Sequence, residues 1–206
     1  MAQQTAAVAS HDDHPEPTLG VGNNKLGMWV FIASECLFFG AMIATYLVYL
    51  QRTGDGPTAT QVFDIPFTSI STFILLMSSL GMVLALSAIQ RGDMRAFRVW
   101  TLATALMGLT FLSGQIYEFT AFVAYGLGFT TSPFSASFYL LTGFHGVHVS
   151  IGVLMLLSLW AMSFTGRITP AHDEAVENVG LYWHFVDIIW ILIFTIVYLI
   201  PVEGGL

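Results

Sequence analysis

A chain of 206 residues with 55% hydrophobic and only 9% charged side chains, at a mean hydropathy of +0.74, is no ordinary soluble domain, where about 25% of residues carry charge. In water such a chain would leave too much apolar surface uncovered, so an integral membrane protein forming one compact bundle is expected. Net charge is −7 with no basic patch beyond one short loop, which excludes nucleic-acid binding.

Residues 1–26, which include MAQQTAAVASHDDHPEPTLGVGNN, are polar, small and proline-containing. They read as a disordered cytoplasmic tail, and lack the basic start, short apolar core and cleavage site of a signal peptide. The HDDH within them looks like a metal pair, but an unstructured segment offers no preformed ligand geometry.

From there to residue 206 the chain reads as a five-helix transmembrane domain. A helix needs about 20 apolar residues to cross the hydrocarbon core. Five runs qualify, at Gly27–Tyr49, Phe67–Ile89, Phe97–Tyr117, Phe138–Met162 and Val179–Ile200. Backbone groups in lipid must be satisfied within the segment, so these are helices and the fold is all-α. Breakers and charges mark the connections: QRTGDGPTATQ, QRGDMR, YGLGFTTSP and TGRITPAHDEAVEN. With alternating spans, Lys25, Arg91, Arg95, Arg98 and Arg167 fall on one side and only Arg52 on the other. The positive-inside rule then places the N-terminus inside and the C-terminus outside. Asp173, Glu174 and Glu177 read as a solvated inner loop. Cys36 reads as a small buried apolar residue, and as the single cysteine it permits no intrachain disulfide.

The chemistry lies in ionisable residues within the spans. Glu35 lies in WVFIASECLFFGAM, Glu118 in GQIYEF, His145 and His148 in TGFHGVHVSIG, and His184 and Asp187 in YWHFVDIIW. An Asp at a helix centre costs about 2.5–3.5 kcal/mol on insertion, so such residues face a bundle interior or a polar path. Each histidine pair has i, i+3 spacing and shares a helix face. By rise per residue, His145 and His148 lie about 10–15 Å from the outer boundary and His184 and Asp187 about 8–12 Å from the inner one. The two pairs overlap near mid-membrane, where the Asp187 carboxylate would accept from a histidine. Gly143, Gly146, Ser150 and Gly152 make the fourth span a close-packed central element. Three readings fit these residues: haem ligation by two of the histidines, a proton path through Glu35 and the polar pairs, and polar side chains that hold helices together.

WVFIASECLFFGAM, GQIYEF, FYLLTGFHGVHVSIG and YWHFVDIIWILIFTIVYLI, in that order, resemble subunit III of the haem–copper oxidases, the cytochrome c and quinol oxidase family. The likeness covers Gly27–Ile200. It implies a non-catalytic subunit that supports proton uptake, stability and lipid or oxygen access of a catalytic subunit I. It further implies no catalytic centre and no cofactor of this chain's own. Haem and copper would sit in partner subunits, and phospholipid would be bound here. Subunit I is the direct partner implied, with subunit II, other oxidase subunits and membrane lipids around it, in a prokaryotic plasma membrane. Glu35 matches the family's carbodiimide-reactive, proton-active carboxyl and His148 a histidine at its lipid site. Glu118, His145, His184 and Asp187 match positions of an intramembrane polar network. The long form of the family has seven spans, of which only the last five are present here. Where the long form carries an inner arginine this chain aligns Met162, leaving Arg167 as the lipid-binding substitute. Alternatives are an accessory subunit of a quinol oxidase or nitric oxide reductase, a free-standing proton channel, or a stand-alone membrane haem protein using His145, His148 or His184.

Overall fold

A computed structural model of the chain describes residues 22–54 and 63–200. Among them every regular element is helical: α1 (Asn23–Tyr49), α2 (Ile65–Gln90), α3 (Met94–Ala124), α4 (Pro133–Phe164) and α5 (Asp173–Phe194). A 3₁₀ turn at Pro170–His172 leads into α5, and a π-helical turn at Thr195–Leu199 extends it. All five helices are long and apolar enough to cross a membrane. The expected spans are therefore present. The first four lie inside longer helices, because polar end turns stay helical where caps satisfy their backbone, whereas the fifth, expected at Val179–Ile200, starts earlier, at Asp173, and gives way to the π-helical turn after Phe194.

Two of those caps are legible residue by residue. Asp93 accepts from the N–H groups of Arg95 and Ala96, 3.1 and 3.0 Å away, and so starts α3. Just before it Gly92, at φ +77°, ends α2 in the left-handed conformation that glycine tolerates. At the start of α4, Ser132 and Ser135 cap each other's backbone N–H, with Pro133 in the first turn.

Two boundaries differ from expectation. Residues 23–26, assigned to a disordered tail, begin α1, while residues 1–21, with the HDDH, lie outside the described residues. Asp173, Glu174 and Glu177 are not a solvated loop but open α5. Asp173 and Glu174 occupy its first turn, where carboxylates favour the positive end of the helix dipole. Glu177 binds Lys25 of α1 at 2.6 Å, with both side chains about one-third exposed.

Helices α2, α3, α4 and α5 form a ring in which each packs on the next and α5 closes back onto α2, while α1 leans on α4 and α5 from outside. The packing follows helix-facing small residues. Gly81 meets Thr104, Gly146 meets Gln115, and Gly108 and Gly152 both meet the indole of Trp183. Gly143, expected to help, has open space where a side chain would go. Only Phe39 and Tyr46 of α1 are buried, so α1 is the element most dependent on what surrounds the chain. In lipid the apolar effect does not drive helices together; close packing and interhelical hydrogen bonds do. Trp183 and Trp190 supply both, fully buried and donating from Nε1 to Ser78 and Thr72 of α2 at 2.9 Å each.

Candidate functional site

Glu35 and His148 meet across the α1–α4 interface, Oε2 to Nε2 at 3.2 Å, with side chains 20% and 12% exposed. The other imidazole nitrogen, Nδ1, lies 2.8 Å from the carbonyl of Phe144. A carbonyl only accepts, so Nδ1 carries a hydrogen. Nε2 then either accepts from a protonated Glu35 or, as imidazolium, donates to its carboxylate. In both cases the pair is neutral overall and holds one proton between two atoms. That is the form in which an ionisable pair is least costly in a membrane. Phe39 packs its ring edge-on to His148 at 5.0 Å, and the Tyr182 hydroxyl donates to the His148 carbonyl at 3.0 Å. The site is thus fixed from α1, α4 and α5.

His184 and Asp187 of α5 do not bond each other directly. Ser79 of α2 stands between them. Its hydroxyl donates in a short hydrogen bond to Asp187 Oδ2 and lies 2.9 Å from His184 Nδ1. A hydroxyl has one hydrogen, so with that hydrogen on the carboxylate side Ser79 accepts from His184. Asp187 is 2% exposed, and its Oδ1 has no partner among the described residues.

Glu118 of α3 is 6% exposed and takes a short hydrogen bond from Thr68 of α2. It sits six residues before the end of α3, deeper in the helix than a span ending at Tyr117 had implied. His145 is fully buried, stacked on Trp190 at 4.8 Å and edge-on to Phe111 at 5.8 Å. Among the described residues, neither of its ring nitrogens has a hydrogen-bond partner.

The expected network is therefore three separate clusters on three interfaces, plus His145 alone. The i, i+3 spacing of His145 and His148 rotates them by about 60°, enough to send one into the ring and the other to α1. The bonding partner of His184 and Asp187 is the Ser79 hydroxyl of α2 rather than the opposite pair. The three histidines do not face one another across a common gap. Among the described residues, no three His, Cys, Asp or Glu side chains converge to hold a metal ion.

Cys36, expected to be buried, is exposed and borders an apolar groove of about 370 Å³ between α1 and α5. Arg167 is exposed in the turn after α4, separated from His148 by about 24 Å of helix, so the two do not share one site. Instead Arg98 of α3 occupies the end of α4. It donates from Nε and Nη2 to the Ser163 hydroxyl and carbonyl at 3.0 and 2.7 Å, with its guanidinium 4.4 Å above the Phe164 ring. Sequence reading missed Ser79, Thr68 and Arg98. The adjacent serines of MSSLG, one turn of polarity in an otherwise apolar span, were the available signal for the first.

Fold and site together define a multi-pass helical membrane protein whose ionisable groups are spent at helix interfaces. The family model for cytochrome c oxidase subunit III matches residues 9–202, and the chain belongs to that family. Cytochrome c oxidase subunit 3 of Alkalihalophilus pseudofirmus is 39% identical over 193 residues, covering 93% of this chain and 94% of that protein. Cytochrome bo(3) ubiquinol oxidase subunit 3 of Pseudomonas aeruginosa is 36% identical, covering 91% and 90%. Quinol oxidase subunit 3 of Bacillus subtilis is 35% identical, covering 88% and 89%.

Proposed function

We propose that the chain is the non-catalytic subunit III of a proton-pumping haem–copper terminal oxidase, in a prokaryotic plasma membrane with its N-terminus inside. It docks on the catalytic subunit that reduces oxygen to water, where haem and copper reside, and sustains turnover by supporting proton uptake and stability. Relatives named as cytochrome c and as quinol oxidase subunits match over nearly the same length, so the role proposed is the one common to both. The observation that carries the reading, given the family, is the Glu35–His148 pair. It is an overall neutral, partly buried pair sharing one proton across the junction between the loosely attached α1 and α4 of the ring. The subunit also holds membrane lipid, a part of the role that the apolar groove between α1 and α5, bordered by Ile32, Cys36, Leu181 and Ile188, supports. Five basic residues at one end of the bundle support the sidedness.

The test is Glu35→Gln in the assembled oxidase. Carbodiimide labelling of this chain is lost, whereas the initial oxygen-reduction rate stays within about twofold, under ~0.5 kcal/mol in barrier. Decline of activity during sustained turnover is faster than in the unaltered enzyme. Loss of most of the initial rate would make Glu35 an obligatory proton donor and overturn the supporting role.

A further inference from the structure

At the end of the bundle away from the five basic residues, α2 and α3 enclose a pocket of about 420 Å³. Glu118 is its buried acid. One oxygen accepts from Thr68, and among the described residues no donor reaches the other. Asp64, exposed, is its outer acid, and already caps α2 by accepting from the Phe67 N–H at 3.1 Å. The walls are largely aromatic: Phe63, Phe67, Tyr117 and Tyr125, with the Phe67 and Tyr117 rings 5.4 Å apart. Among the described residues, no basic side chain lines the pocket. Arg52, the one cation of that end among the described residues, lies over the ring of Tyr49, its own neighbour at the end of α1.

Two acids without a counter-charge, walled by aromatic rings, make a receptor for an organic cation. A metal ion suits the pocket poorly, because hard cations want several oxygen ligands or retained water and ring faces supply neither. An ammonium group is satisfied on both counts, by hydrogen bonds to carboxylates and by the ring quadrupoles. Depth indicates who carries it. Glu118 is about 9 Å short of the end of α3, so the pocket reaches from the headgroup layer to the edge of the hydrocarbon. Beside it, Ile70 of α2 and Ile116 of α3 are about two-thirds exposed and offer a surface for acyl chains.

We propose that this pocket binds a phospholipid whose headgroup ends in an ammonium group, of the ethanolamine type, with Glu118 and Asp64 as its counter-charges. The proposal rests on the membrane-spanning fold alone and stands apart from the role assigned to Glu35.

The test uses the purified full chain in nanodiscs holding equal amounts of ethanolamine-headed and glycerol-headed phospholipid with identical acyl chains. Lipids retained on release are counted by native mass spectrometry. The ethanolamine lipid is retained preferentially. Glu118→Gln, which leaves an acceptor for Thr68, lowers that retention about tenfold, as loss of one charge-assisted contact does, and leaves the glycerol lipid unchanged. Asp64→Asn keeps the cap of α2 and lowers retention in the same direction, giving a second reading if the first variant folds poorly. Unchanged retention in both variants, or equal loss of both lipids, overturns the proposal.

Discussion

Gly152→Ala is the most direct test of how the ring of helices is held. A Cβ at position 152 would lie 2.7 Å from both Cε3 and Cζ3 of Trp183, against the 3.5–4.0 Å at which carbon atoms rest. The indole has nowhere to retreat. Its far edge already lies against Gly108, where a Cβ would be 2.6 Å from Cη2, and its N–H is tied to Ser78. An overlap of about 1 Å on a rigid ring belongs at the upper end of the ~1–3 kcal/mol that overpacking costs. Replacing glycine inside a helix also returns up to about 1 kcal/mol of backbone entropy, so the net loss is about 2 kcal/mol. Gly143→Ala, nine residues earlier in the same helix and with open space around it, receives the same backbone gain without the clash. The difference between the two alanine variants, about 3 kcal/mol, is therefore the strain alone. Reversible unfolding in mixed micelles by SDS titration, read by far-ultraviolet circular dichroism, measures it. In a Trp183→Phe background, where the smaller ring leaves room, the difference falls below about 1 kcal/mol. Two alanine variants of equal stability would refute the clamp.

Asp187→Ala leaves Ser79 without its acceptor and costs about 0.6–1.7 kcal/mol, the range for hydrogen bonds between membrane helices. The same titration reads it, and recovery of assembled complex falls more than the activity of what assembles. Arg98→Ala removes two hydrogen bonds and a cation–π contact at the end of α4 and costs about 1–2 kcal/mol. Arg98→Lys restores less than half of that in the same assay, because an ammonium cannot match the planar fork.

The spans were legible because the bilayer imposes a length and an internal hydrogen-bonding rule that sequence expresses directly. Facing was not, because which side of a helix meets which neighbour depends on rotations that apolar residues leave undetermined when lipid and protein interior are equally apolar. Cys36 shows this: every neighbour in sequence suggested burial, yet α1 packs through Phe39 and Tyr46 and turns the cysteine toward a groove. The partners of the costly residues were hidden for a related reason. Ser79 and Thr68 belong to a residue type that bonds its own helix backbone throughout this chain, as Ser69, Thr72 and Thr110 do, so their long-range role leaves no local mark. Charge misled in the opposite direction at Asp173, Glu174 and Glu177. Acids look like loop in a membrane sequence, but the first turn of a helix is where they are most favourable.

The separation of the clusters bears on mechanism. Glu35 works at the α1–α4 interface, Asp187 between α5 and α2, and Glu118 between α3 and α2. Each has one close partner, and among the described residues no hydrogen-bonded chain joins them. A relay needs contiguous donors and acceptors; a scaffold needs one polar key per interface, which both holds a pair of helices and fixes their rotation. His145, buried with two nitrogens that find no partner among the described residues, at a cost of about 1–3 kcal/mol for each unmet group, keys its place through stacking on Trp190 instead. Two of the acids thus sit between helices of the ring, while Glu35 joins α1 to it and is the one of the three with a partly exposed carboxyl. Of the three, Glu35, paired with His148 of α4, is the acid open to a neighbour beyond the ring, so its proposed role is tested on the assembled complex.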